Sequence, residues 1–171
     1  MWMIEKWNSR YTHCMPRVES EVIVDIDLET AFALSQTYGE IRYMWDPFVK
    51  EQHLLDGATN AGKGVKTSTT SKHGLTMISE YVTYNPPTHV GMRMIEGPKF
   101  FKSFSGGWTF SKVSENKTKA VWRYNFVCSP KWMQSIMNPI GMRILQKDID
   151  ARLSAFEKAC TNAEILKKLK S

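Results

Sequence analysis

The string Gly57-Ala58-Thr59-Asn60-Ala61-Gly62-Lys63-Gly64 is close to a phosphate-binding P-loop. A P-loop needs a Ser or Thr after its lysine, because the hydroxyl binds Mg²⁺, and a helix N-terminus behind it, because the free amides bind phosphate. Here Gly64 stands at the hydroxyl position, and the residues that follow, 65–69, have the composition of a strand. We therefore interpret the string as a β-turn.

The other reactive side chains are scattered. The histidines His13, His53, His73 and His89 are isolated, and the cysteines Cys14, Cys128 and Cys160 are odd in number and far apart. None has the short spacing typical of metal ligands, so no metal and no cofactor is expected. Distant, unpaired cysteines suit reduced thiols better than a disulfide framework. No catalytic residue is assigned from these types and spacings.

Composition narrows the class of protein. The chain has 171 residues, 42% of them hydrophobic and 23% charged, which is ordinary for one globular domain. No apolar stretch approaches the roughly 20 residues of a membrane-spanning helix. Glu5, Lys6 and Arg10 occupy the place where a secretory signal needs an apolar block. A cytoplasmic protein without a transmembrane helix is expected.

The charge is unevenly distributed along the chain. The formal net charge is +6, and residues 61–171 hold 18 basic and 7 acidic side chains, whereas residues 1–60 hold 5 and 10. A basic half suggests weak contact with an anionic membrane, although an ordinary solvated face is the favoured alternative. Nucleic-acid binding is not expected, because it needs exposed aromatic side chains among the basic ones.

The sequence also predicts the secondary-structure elements that carry the candidate side chains. Residues 1–16 have no consistent period and are interpreted as an N-terminal extension, leaving 17–171 as a single domain. Alternation over 18–26 predicts a strand. Asp27 can cap a short helix that ends near Gly39, and a second short helix stops at Asp46-Pro47, because a residue before proline avoids the helical region.

From Phe48 to Val127 the sequence is all strand and turn. Six short-linked strands imply an antiparallel meander. Pro130 opens a helical stretch that is interrupted at Asn138-Pro139 and ends in the basic residues 167–170. A meander followed by an amphipathic helix predicts an α+β domain with the helix packed on one face of the sheet. The predicted strands are Phe48–Leu55, Gly64–Ser71, Leu75–Asn85, Thr88–Glu96, Phe100–Val113 and Thr118–Val127.

Alternation within the strands predicts what faces inward. The inward set on the third strand of the meander is Leu75, Met77, Ser79, Tyr81 and Thr83, opposite an outward set that includes Tyr84. Gly106-Gly107 predicts a bend or bulge that aims Trp108 inward. The interior so predicted is aromatic and rich in methionine, with a few hydroxyls and no acid–base pair. The rest of it comprises Thr67, Thr69, Val90, Met92, Met94, Phe104, Phe110, Ala120, Trp122, Tyr124 and Phe126.

The order of these patterns resembles that of the START-related lipid-transfer and polyketide-cyclase superfamily over roughly residues 17–160. The resemblance implies a helix-grip fold, in which a curved seven-stranded antiparallel sheet, with two short helices after its first strand, grips a long C-terminal helix over a cavity for lipids, polyketides or other apolar molecules. It fixes no reaction. It rests on Val22-Ile23-Val24-Asp25-Ile26-Asp27, Tyr43-Met44-Trp45-Asp46-Pro47, Glu80-Tyr81-Val82-Thr83-Tyr84-Asn85-Pro86-Pro87, Gly106-Gly107-Trp108-Thr109-Phe110 and Val121-Trp122-Arg123-Tyr124-Asn125-Phe126.

Three functions remain open at this point. The first is a binder or carrier of an apolar small molecule, the second a cyclase- or dehydratase-like enzyme with Tyr81 or Tyr124 as proton donor, and the third an interaction module with a filled core. Residues from the strands and from the helix would form the binding site in the first case. They are Met77, Ser79, Tyr81, Met92, Met94, Trp108, Trp122, Tyr124, Met137, Ile140 and Ile144.

Overall fold

Seven strands and four helices follow one another along residues 15–170, the part of the chain that the computed structural model describes. The predicted extension lies outside these residues apart from Met15 and Pro16. In chain order the elements are β1 (Arg17–Val24), α1 (Leu28–Ser35), α2 (Glu40–Trp45), β2 (Val49–Leu54), β3 (Lys66–Ser71), β4 (Thr76–Asn85), β5 (His89–Glu96), β6 (Phe101–Ser114), β7 (Lys117–Cys128), α3 (Gln134–Ala159) and α4 (Ala163–Leu169).

The seven strands form one sheet in the order β1-β7-β6-β5-β4-β3-β2, and every neighbouring pair is antiparallel. The predicted meander from β2 to β7 is confirmed. Strand β1 returns to pair with β7, so α1 and α2 carry the chain from one edge of the sheet to the other. The sheet curls into a half-barrel with α3 as the long C-terminal helix, and this is the predicted α+β helix-grip architecture.

Capping side chains explain where α1 and α4 begin. Asp27 caps α1, since its carboxylate accepts a hydrogen bond from the backbone nitrogen of Thr30 at 2.8 Å. The predicted interruption at Asn138-Pro139 is wrong, because α3 continues through Pro139. The single C-terminal stretch is in fact two helices. A turn follows Ala159, and Asn162 caps α4 by accepting from the backbone nitrogens of Glu164 and Ile165.

The core lies under the second half of α3. Its largest fully buried side chains are aromatic rings from the two longest strands and from this helix, Phe110, Phe126 and Phe156. The buried residues of α3 all lie between Ile149 and Ala159, and none lies in its first four turns. The helix is thus anchored at one end and stands away from the core at the other. No helix within residues 15–170 is long and apolar enough to cross a membrane.

Candidate functional site

A cavity of about 840 Å³ lies between the concave face of the sheet and α3. Strands β2 to β7 form its floor, and residues of α3 from Met137 to Arg152 form its roof. All eleven residues predicted as a binding site lie on the wall of this cavity. They are Met77, Ser79, Tyr81, Met92, Met94, Trp108, Trp122, Tyr124, Met137, Ile140 and Ile144. Their position is a property of the fold, whereas ligand binding by them stays a prediction.

The cavity has an open end and a closed end. Leu75, Ile140 and Ile144 line it yet are 47%, 52% and 63% exposed, so they mark the mouth. Along β4 the lining continues inward to Tyr81, which is only 6% exposed. Tyr81 is six residue steps along the chain from Leu75, which gives a depth of about 20 Å at roughly 3.3 Å per step.

Strand β4 changes face just beyond Tyr81. The predicted inward Thr83 is exposed, and the predicted outward Tyr84 packs edge-on against Phe32 and Tyr81. The cause is a shift of the pairing with β5 between Tyr81 and Thr83. A bulge of this kind adds one residue to a strand and therefore reverses the alternation after it. The prediction for these two residues was wrong for that reason.

The glycines before Trp108 have a different role from the one predicted. The pairing of β6 with both neighbours is regular through Gly106 and Gly107, so no bulge is present there. A Cβ at Gly107 would lie 2.2 Å from the carbonyl oxygen of Val90, and one at Gly106 would lie 2.7 Å from the Tyr124 ring. Both glycines therefore permit close approach. Trp108 does face inward, stacked on Trp122 at 4.1 Å between ring centroids.

A charged cluster lies at the closed end, where an interior without an acid–base pair was predicted. Asp46, at 1% exposure, accepts from Nε and Nη2 of Arg152 at 3.1 and 2.8 Å. The Nη2 of Arg42 lies 2.7 Å from the same carboxylate. Arg152 also donates through Nη1 to the hydroxyl of Tyr124 at 2.6 Å. The prediction considered strand faces only, whereas these charges come from α2, the residue after it and α3.

Burial and pairing shift the pKa values of this cluster. Burial alone would raise the pKa of Asp46, but the charges of Arg152 and Arg42 outweigh it and lower the pKa to about 2. Burial raises the pKa of Tyr81 to about 12, and it raises that of Tyr124 further still. The carboxylate is therefore ionised and both phenols are neutral at physiological pH.

The sequence does carry signals for this cluster. Arg42 and Asp46 are an i, i+4 pair, which meets on one helix face. Arg152 stands in the apolar stripe of Ile149, Leu153 and Phe156, where a charge is buried only if paired. Within residues 15–170, no three His, Cys, Asp or Glu side chains come together as metal ligands. The cysteines in that range, Cys128 and Cys160, are free and buried.

Comparison with solved structures yields folds of the same kind. A START superfamily protein from Mycobacterium smegmatis superposes with a TM-score of 0.70 at 12% identity, covering 83% of this chain and 94% of its own. The Zhui aromatase/cyclase from Streptomyces sp. R1128 gives 0.66 at 16% identity, covering 92% and 94%. The major latex-like protein 151 of Panax ginseng gives 0.65 at 12% identity, covering 85% and 97%.

By sequence, no curated protein matches the chain. Residues 15–161 match the family described as polyketide cyclase/dehydrase and lipid transport, and this range includes every strand and all of α3. On this match the chain belongs to the polyketide cyclase/dehydrase and lipid transport family.

Proposed function

We propose that the protein binds and carries an apolar small molecule in the cavity between the sheet and α3. The observation that carries the proposal is the cavity itself, about 840 Å³ of space walled mainly by apolar side chains. Its volume lies within the roughly 300–1,000 Å³ of small-molecule sites. Met77, Met92, Met94 and Met137 supply much of the wall, and methionine adapts its shape to varied ligands. The family's description supports binding of hydrophobic molecules at the same general level.

The two other functions receive less support. An interaction module with a filled core would leave no such space. A cyclase-like enzyme would use Tyr81 or Tyr124 as an acid, yet burial raises both pKa values far above neutrality. A general acid works best when its pKa is near the working pH. These phenols are better suited to donating a hydrogen bond than to releasing a proton.

An exposed apolar strip on α3 and the turn before it, the apolar ridge, suggests where the ligand enters. It consists of Trp132, Ile136, Ile140 and Ile144, which are 80%, 63%, 52% and 63% exposed at four-residue intervals on one face. Residues 131–147 also hold three basic side chains and no acidic one. An apolar strip flanked by cations suits the headgroup region of an anionic bilayer. We propose that the ligand is exchanged there.

Native mass spectrometry of freshly purified protein, followed by titration with a neutral solvatochromic dye such as Nile red, tests the carrier proposal. Ser79→Phe places a ring in the cavity and should reduce dye affinity at least tenfold. Thr83→Phe introduces the same ring at an exposed position of the same strand and should leave affinity unchanged. An empty protein that binds no dye, or equal affinities for the two variants, would contradict the proposal.

Vesicle co-sedimentation tests the bilayer proposal. Binding should require acidic lipid and decline as salt rises through the physiological range. The double variant Ile136→Asn/Ile140→Asn should lose binding, whereas Ile23→Asn, which alters an isoleucine 53% exposed on β1, should retain it. Equal binding to neutral vesicles, or equal loss in the control, would refute docking through the apolar ridge.

A further inference from the structure

Two tyrosines at the closed end of the cavity lie in one row across the sheet. Tyr81 on β4 pairs with Met92 on β5, Met92 with Gly106 on β6, and Gly106 with Tyr124 on β7. Three strand spacings separate the two tyrosine backbones, a distance of about 14 Å. Because the sheet curls around the cavity, side chains at the two ends of such a row incline toward each other.

Gly106 allows the Tyr124 ring to lie over the row. A Cβ at this position would be 2.7 Å from Cδ1 and 3.1 Å from Cε1 of Tyr124. The ring therefore occupies the space above Gly106, on the side of its own strand that faces β5 and Tyr81. Both tyrosines line the cavity, and both are about 95% buried.

The hydroxyls of these tyrosines have hydrogen-bonding capacity to spare. The Tyr124 oxygen accepts from Arg152 Nη1, which leaves its own proton without an acceptor among residues 15–170. The Tyr81 hydroxyl has no hydrogen-bond partner at all within that range. Buried hydroxyls are normally hydrogen-bonded. Two cavity-lining hydroxyls thus have a proton that no described protein group accepts, while Gln52 Oε1, on β2, is an unpaired acceptor elsewhere on the same wall.

The surrounding side chains offer donors to a hydrogen-bond acceptor. Arg42 and Arg152 face the Trp122 ring, with their guanidinium carbons 5.8 and 4.2 Å from its centroid, and both pair with Asp46. Asp148, 3.8 Å from Arg152 and partly exposed, is the next carboxylate. Arg42 Nε is also a buried donor without a partner in the described part of the chain. The closed end is therefore rich in hydrogen-bond donors, and Asp46 and Asp148 balance the charges of its two arginines.

From this arrangement we infer that the ligand is an apolar molecule with one terminal carbonyl or oxyanion oxygen, which accepts hydrogen bonds from the hydroxyls of Tyr81 and Tyr124. The inference rests on the proposed carrier function and specifies its ligand class. The apolar body would extend from the tyrosines along the methionine-lined wall toward the mouth. A pure hydrocarbon would leave both hydroxyls unpaired, and an ammonium group would bring further donors to an end that already has unpaired ones.

A matched series of naphthalenes tests the inference by isothermal titration calorimetry. The four probes share one apolar body and are 2-acetylnaphthalene, 2-naphthoate, 2-ethylnaphthalene and 2-(aminomethyl)naphthalene. The ketone or the carboxylate should bind at least tenfold more tightly than the ethyl and aminomethyl compounds, and which of the two binds better distinguishes a carbonyl ligand from an oxyanion ligand. Net hydrogen bonds of ordinary strength produce differences of this size.

Variants assign that preference to the hydroxyls. Tyr81→Phe and Tyr124→Phe should each reduce the preference for the oxygen-bearing probe about three- to tenfold, while affinity for the ethyl compound stays the same. Tyr84→Phe is the matched control, because Tyr84 packs edge-on against Tyr81 but does not line the cavity. A general loss of folding would weaken all four probes together and leave their ratio unchanged.

The two proposals can fail separately. If neither Nile red nor any of the four probes binds, the carrier function itself is refuted, and if Nile red binds but none of the four probes does, the oxygen-anchoring role of the tyrosines is wrong. If all bind equally to the wild type, or if the preference survives in the double variant Tyr81→Phe/Tyr124→Phe, the cavity carries a ligand but the oxygen-anchoring role of the tyrosines is wrong.

Discussion

Replacing Asp46 by Asn removes the carboxylate that two buried guanidinium groups share. Its pKa falls from 3.8 to about 2 on folding, and the difference corresponds to about 2 kcal/mol of stabilisation at neutral pH. The substitution also leaves Arg42 buried without a counter-charge and leaves Arg152 with Asp148, 3.8 Å away, as its remaining carboxylate, and breaking a buried pair in this way costs about 3–5 kcal/mol. We expect the free energy of unfolding at pH 7 to fall by that larger amount.

Urea denaturation of the wild type and of two variants measures the effect. Asp25→Asn is the control, because this carboxylate also pairs with a cation, Lys117 at 3.0 Å, but is 69% exposed. A surface pair of this kind contributes less than about 1 kcal/mol. The matched substitution isolates the effect of burial from that of losing a charge.

The pH dependence supplies a second measurement. A carboxyl whose pKa is lowered on folding contributes its full stabilisation above the unfolded value of 3.8, and the contribution is lost as the pH falls through the folded value of about 2. The gap between the wild type and Asp46→Asn should therefore be constant from pH 7 to about 5 and narrow below pH 4. A cost no larger than that of Asp25→Asn, or a gap that persists unchanged at pH 2, would refute this account of Asp46.

Three further outcomes are expected. Gly107→Ala should lower the unfolding free energy by about 2 kcal/mol or more, because its Cβ would lie 2.2 Å from the Val90 carbonyl oxygen. The control Gly62→Ala, whose Cβ would lie 3.9 Å from its nearest neighbour, should change the free energy by less than about 0.5 kcal/mol in the same urea denaturation experiment. Cys160, whose pKa burial raises to about 12, should resist alkylation at pH 8 until the protein unfolds, as peptide mass spectrometry would report. Trp108→Ala should lower the unfolding free energy by about 3 kcal/mol, the lower limit for a packed aromatic side chain, because one side of the ring borders the cavity. A loss near 5 kcal/mol without a change in Nile red affinity would contradict this expectation.

The alternation of apolar and polar residues sufficed to predict the buried face of a strand where its pairing is regular. On β7 it placed Ala120, Trp122, Tyr124 and Phe126 inward, and all four are buried. It failed on β4 beyond Tyr81, because the residue added by a bulge leaves no mark in the hydrophobic pattern. The run of β-strands and the final helix were therefore predictable, and the exact face of each residue was predictable only between irregularities.

The charged end of the cavity was harder to predict because its parts are remote in the sequence. Arg152 and Asp46 are separated by 106 residues, and only the curl of the sheet brings α2 and α3 together. Asp46 before Pro47 is equally well explained as the end of a helix, and a single arginine in an apolar stripe can extend to solvent. The pairing of the two depends on tertiary contacts that a single sequence does not specify.

The uneven anchoring of α3 has a consequence for how relatives of this protein could diverge. Its last three turns hold the buried residues that maintain the fold, whereas the cavity mouth is formed by the preceding turns, which bury none. Substitutions at poorly buried positions usually change stability by no more than about 0.5 kcal/mol. Selection could therefore vary Ile140, Ile144 and their neighbours, and with them the molecules that the proposed carrier would admit, while the stability of the domain is maintained by other residues.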